Sequence, residues 1–134
     1  MRIIMQILSL SLLLLINLLP VGCATHEEIS LNRIESMPVT LAEVIDSVAV
    51  GQEVWFKITA STPSPCWKFH HMENTRDKNE VLITVYAEYV DQPCIQTTST
   101  IEAAGSLVLH EPGVYTFKFW QEQGRTLNKK VVVE

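Results

Sequence analysis

The chain has 134 residues, 47% of them hydrophobic and 19% charged, a globular balance that excludes a disordered chain. Five Gly and six Pro exclude a collagen-like or Pro-rich protein, and 10 basic against 15 acidic residues, a formal net charge of −5, leave no basic surface for nucleic acid. A chain of this length has room for one domain.

Met1-Arg2 opens the sequence with one positive charge. The run from Ile3 to Leu19 is apolar apart from Gln6, Ser9, Ser11 and Asn17. As a helix it would span about 25 Å, short of a ~30 Å hydrocarbon core. Pro20-Val21-Gly22-Cys23-Ala24 then supplies a helix breaker and small residues. A charged start, an apolar middle and a small-residue exit predict a helical signal peptide over residues 1–22 and an exported protein. Leu19-Pro20-Val21-Gly22-Cys23 resembles the bacterial lipobox, with Pro20 where that family usually carries Leu, Val or Ile. The resemblance implies cleavage before Cys23, diacylation of its thiol and a membrane-anchored lipoprotein facing the periplasm or the cell surface. Several acyl chains anchor firmly where one is marginal, since each buried CH₂ contributes about 0.8 kcal/mol. Cleavage after Ala24 is the alternative. The expected organisation is a signal peptide at 1–22, a lipidated Cys with its tether at 23–36, and a domain at 37–134. Loss of residues 1–22 removes Arg2 alone among the charged residues.

With Cys23 acylated, Cys66 and Cys94 remain, and an exported protein meets an oxidising compartment. A Cys66–Cys94 disulfide would close a loop of about 29 residues, for which chain entropy gives about 3.6 kcal/mol. Two buried thiols, or a metal or redox pair, are the alternatives. No Cys-x-x-Cys occurs, so a thioredoxin-like site has no local support.

In chain order, a first edge strand is expected around residues 29–34. Residues 41–50 carry Leu41, Val44, Ile45 and Val48, which suits either a short helix or extended structure; extended structure is preferred. Glu53 to Ser61 alternates, with Val54, Phe56, Ile58 and Ala60 on one face, as a strand over a core does. Pro63 and Pro65 stop it, each lacking a ladder donor. A strand follows from Cys66 to Glu73 with Trp67, Phe69 and His71 on a common face, then a polar turn at 74–79. Glu80 to Val90 alternates most strongly, with Val81, Ile83, Val85, Ala87 and Tyr89 aligned. The Thr-rich stretch 95–101 and Leu107-Val108-Leu109 read as two short strands. Glu111-Pro112-Gly113 turns into Val114 to Trp120, where Tyr115, Phe117 and Phe119 align, and a turn at 121–125 leads into Leu127 to Val133.

About seven short strands punctuated by turns predict an all-β fold, a single antiparallel β-sandwich. Val50-Gly51-Gln52-Glu53-Val54 and Pro112-Gly113-Val114-Tyr115-Thr116-Phe117 resemble the immunoglobulin-like and fibronectin-III-like domains over about residues 40–134. That resemblance implies a tyrosine corner, with the Tyr115 hydroxyl bonded to backbone upstream. The chain departs from antibody-type domains in placing Trp67 directly after Cys66.

Few residues invite chemistry. Cys66, His70, His71 and Met72 are donors that suit copper, but on a regular strand His70 and His71 point to opposite faces and cannot chelate together without a bulge. His70 and Met72 share a face with Lys68, a poor neighbour for a cation, so they are weak candidates and no cofactor is expected. No Gly-x-Ser-x-Gly elbow, His-Glu-x-x-His helix or P-loop is present, and His110-Glu111 reads as a solvated loop end, so no enzyme is expected. Trp55 and Trp120 fall on the nominal solvent side of their strands and are candidates for a binding patch; the alternative is that a loop or residues 25–50 cover them as a core edge. The expected function is a non-catalytic, lipid-anchored envelope module of the adhesion type that binds a protein or glycan. The alternatives are an inhibitor of an envelope protease or lysozyme acting through loops 62–65 and 121–125, and a copper carrier using His70 and Met72.

Overall fold

The computed structural model describes residues 32–134; the signal peptide, Cys23 and the first half of the expected strand at 29–34 lie outside them. Nine strands and no helix occur among the described residues. They are β1 (Ile34–Met37), β2 (Val39–Val44), β3 (Ser47–Val48), β4 (Glu53–Thr62), β5 (Trp67–Asp77), β6 (Glu80–Tyr89), β7 (Ser99–Val108), β8 (Gly113–Trp120) and β9 (Thr126–Val133). Two sheets form a β-sandwich. One is three-stranded in the order β2-β4-β7; the other is six-stranded, β1-β6-β8-β9-β3, with β5 on the free side of β6.

Alternation explains the layering. Val54, Phe56, Ile58 and Ala60 of β4 face Val81, Ile83, Val85 and Ala87 of β6 and Tyr115, Phe117 and Phe119 of β8, all buried in one core. Phe56 is the wedge between the sheets, with its ring 5.9 Å from Phe119 and 6.3 Å from Phe117 in tilted arrangements. Gly105 lies opposite Phe56 in the β4–β7 register. A Cβ there would stand 2.7 Å from the Phe56 ring and 3.0 Å from the Met72 methyl, so the missing side chain is the space the ring occupies.

Four expectations need correction. Residues 95–101 and 107–109 are not two strands: β7 runs unbroken from Ser99 to Val108, because Ala103 and Gly105 keep the inward alternation as small residues against Phe56. The turn at 74–79 shrinks to Lys78-Asn79, because Asn74 to Asp77 pair with Ile83 to Glu80 and extend β5 as a polar edge strand. The pairing is not wholly antiparallel, since β6–β8 and β3–β9 run parallel. Trp67, Phe69 and His71 do not share a face, because a bulge between Phe69 and His71 reverses the alternation. Residues 41–50 are extended, as preferred, in β2 and β3. Strands β1 and β3 have four and two residues, too short for an alternation to show.

The Cys66–Cys94 disulfide is present, with Cα atoms 5.9 Å apart. It ties the start of β5 to the connection between β6 and β7, beside the Val90 N–H that donates to the Cys66 carbonyl at 2.9 Å. At the opposite end Tyr115 is fully buried, and its hydroxyl donates to the Glu111 carbonyl at 2.9 Å. Arg76 donates to the same hydroxyl at 3.1 Å and lies over the ring, 5.2 Å from its centroid.

Two variants test this packing in denaturant titrations. Gly105→Ala is expected to cost about 1–3 kcal/mol, since Phe56 is held by Phe117 and Phe119 and cannot yield freely; a neutral result would place Phe56 elsewhere. Tyr115→Phe is expected to cost about 1–3 kcal/mol, because the Glu111 carbonyl and Arg76 both lose a partner; a change within ~0.5 kcal/mol would show that the corner is not a constraint.

Candidate functional site

The sandwich has two ends, fixed by strand direction. One carries the connections 63–66, 90–98 and 121–125, where β4, β6 and β8 finish. Residues 62–65 and 121–125, far apart in sequence, meet there. An open depression there is lined by Met37, Pro38, Thr62, Pro63, Thr98 and Glu122. The side chain of Gln121 donates from Nε2 to the Val39 carbonyl at 2.8 Å and ties the β8–β9 turn to β2. Thr62 Oγ1 donates to the Ser64 carbonyl at 3.1 Å, which holds the Pro63-Ser64-Pro65 turn. The described chain enters at this same end, where the Arg33 carbonyl accepts from the Tyr89 N–H at 2.8 Å and the Arg33 guanidinium lies 5.3 Å from the Trp67 ring centroid.

Trp55 and Trp120 are not brought together. Trp55 stands on the outer face of the three-stranded sheet, 55% exposed. Ile45, whose N–H donates to the Trp55 carbonyl at 3.4 Å, and Val108, diagonal to Trp55 on β7, extend it into an exposed apolar row. Lys57 and Glu102, 3.4 Å apart, border this row on the same face. Trp120 is half-buried on the outer face of the other sheet, opposite Thr126. Sequence alternation found Trp55 but not its flanks, because Ile45 lies just past β2, where no alternation runs.

His70 and Met72 are separated as well. The β5 bulge places two residues, His70 and His71, opposite the single Tyr86 of β6, and from there the inward positions are even-numbered. Met72 therefore packs against the core beside Gly105 and is not presented with His70. Cys66 is committed to its disulfide. The bulge instead brings His70 and His71 together, with their Nδ1 atoms 2.6 Å apart. His71 stacks on Tyr86 at 4.6 Å with a 5° interplanar angle, and its Nε2 lies 3.3 Å from Glu73 Oε1. Burial, then the charge of Glu73 and its hydrogen bond to the Tyr86 hydroxyl, raise the Tyr86 pKa above its usual 10.0. His110 is exposed in the loop before β8, where the neighbouring Glu111 serves the Tyr115 contact through its backbone. Among the described residues no three of His, Cys, Asp and Glu are grouped so as to hold a metal ion.

Comparison with known proteins agrees with the fold. The family model described as the ORF11 beta-sandwich domain matches residues 56–133, from within β4 to the end of β9. No curated protein and no solved structure matches the chain. The matched span covers more than half of the sequence and contains both ends of the disulfide, the β5 bulge, Gly105 and the Tyr115 contact, and the chain belongs to the ORF11 beta-sandwich domain family.

Proposed function

We propose that this chain is an exported, lipid-anchored and non-catalytic binding module of the cell envelope, an immunoglobulin-like variant of the β-sandwich that engages a protein or glycan through the outer face of its three-stranded sheet. The observation that carries the reading is Trp55, a large aromatic side chain 55% exposed on the central strand of the three-stranded sheet and flanked by Ile45 and Val108. An apolar row of this kind has no role in the core, and exposed aromatic anchors with polar surroundings are what binding surfaces use. The buried Tyr115 with its bond to the Glu111 carbonyl supports the immunoglobulin-like reading, and the parallel β6–β8 pair is a departure from that pattern. The lipobox-like residues before Cys23 support the anchor. Acylation there would leave residues 24–32 as the link, at most about 30 Å long when extended.

An inhibitor of an envelope hydrolase is the second reading. It is favoured by the convergence of 62–65 and 121–125 at one braced end. Under that reading the purified chain would inhibit a member of a protease and lysozyme panel, and substitutions in those loops would abolish the inhibition while Trp55→Ala would not.

Two experiments test the first reading. Cys23→Ser should move the protein from the membrane to the soluble fraction and abolish acyl labelling. A membrane-bound Cys23→Ser protein would show an uncleaved anchor, and a soluble wild type beginning at Thr25 would show cleavage after Ala24. A photocrosslinking amino acid at position 55 in intact cells should give one discrete adduct with protein or envelope glycan. The same group at Lys130, exposed on β9, should not give it. Equal or absent adducts at the two positions would contradict a binding surface at Trp55.

A further inference from the structure

The geometry points to a copper(II) site at the β5 bulge, held by the Nδ1 atoms of His70 and His71. Three observations carry it. The bulge puts both rings opposite Tyr86, where a regular strand would send them to opposite faces. Their Nδ1 atoms are 2.6 Å apart, which in the metal-free protein is a hydrogen bond between the rings. His71 is oriented from its far side, because Nε2–H donates to Glu73 Oε1 at 3.3 Å and the ring is stacked on Tyr86 at 4.6 Å. With its proton committed to the carboxylate, neutral His71 carries the free electron pair on Nδ1. A carboxylate behind the second ring nitrogen is the usual support of a metal-ligating histidine.

The ligand set selects the metal. Two nitrogens 2.0–2.1 Å from one ion lie about 2.9 Å apart at a 90° angle, so the rings part by about 0.3 Å from their hydrogen-bonded 2.6 Å to take one ion at adjacent positions. Imidazole nitrogens completed by water bind Cu²⁺ most tightly among the divalent first-row metals. His70 now donates from Nδ1, so binding needs its Nε2–H tautomer. The proton leaves Nδ1 and another is taken up at Nε2 from solvent, which the exposed ring allows without a net change in protons. Water completes the coordination. The charged residues next to the pair in the β5–β6 register are Lys68, Glu73 and Glu88, and Lys68 stands opposite Glu88. The site uses neither Trp55 nor Cys23, and its success or failure is independent of the proposed function.

The test is a titration of the purified chain carrying Cys23→Ser, which removes the competing thiol, with a copper(II) salt as the probe and a zinc(II) salt in a parallel titration. Binding is followed by competition with a chelator of known affinity and by electron paramagnetic resonance. One equivalent is expected, in a tetragonal signal split by imidazole nitrogens. His70→Asn and His71→Asn should each weaken binding at least tenfold, and Glu73→Gln should weaken it about tenfold. His26→Asn and His110→Asn should leave it unchanged. Metal-free unfolding midpoints equal to the parent's would show that the losses are not losses of fold. Unchanged affinity after His70→Asn or His71→Asn, dependence on His26 or His110, or tighter binding of Zn²⁺ than of Cu²⁺ would overturn the assignment.

Discussion

The sandwich depends on one aromatic side chain crossing from the smaller sheet into the larger. Phe56 reaches between Phe117 and Phe119, and it can do so because β7 has no side chain at Gly105. A three-stranded sheet offers few inward positions, and those of β7 are largely small: Ala103 and Gly105 between Ile101 and Leu107. The area that couples the sheets therefore comes mainly from β4. Buried aromatic pairs add to area burial through their edge-to-face geometry, which also fixes the relative position of the strands that carry them. Val54, Ile58 and Ala60 fill the remainder of that interface.

That central wedge leaves the two ends of the sandwich to local devices. At one end Tyr115 and Arg76 close the approach to β8 with a side-chain bond to the Glu111 carbonyl. At the other, the Cys66–Cys94 bridge and Gln121 hold connections that have no sheet of their own. The functional candidates occupy what the core does not require. Trp55 sits on the outward side of the strand that carries Phe56, and the His70–His71 pair sits where β5 breaks register as an outer strand. An edge strand with one neighbour tolerates a bulge at little cost to the rest of the sheet, and bulges re-aim side chains.

Much of this was legible in the residues. The alternations of β4, β6 and β8 named the core faces correctly, because period two with one polar side is a direct consequence of a half-buried sheet. Parity and compartment named the disulfide, and the Pro112-Gly113 turn named the Tyr115 contact. The errors share one cause, since alternation carries no information about register. It could not show that Asn74 to Asp77 continue a strand, because an edge strand is held by backbone pairing whatever its side chains are. It could not show that Gly105 continues β7, because its role lies in Phe56 across the ladder. It placed His70 and His71 on opposite faces because the bulge is a property of the β5–β6 pair and not of β5 alone. The exclusion of joint chelation named the exception that the fold contains. The pairing of Trp55 with Trp120 failed for a related reason, since solvent-facing positions on two strands share a surface only when the strands share a sheet.

Native-state hydrogen exchange tests the dependence on Phe56 most directly. If the wedge couples the sheets, the central amides of β4 and β8, around Phe56, Ile58, Phe117 and Phe119, exchange only through global unfolding and with a common free energy. The account predicts that replacing Phe56 by Leu lowers that free energy equally in both sheets. A variant in which β2, β4 and β7 lose protection while β6 and β8 keep theirs would contradict it, showing two sheets that are stable independently.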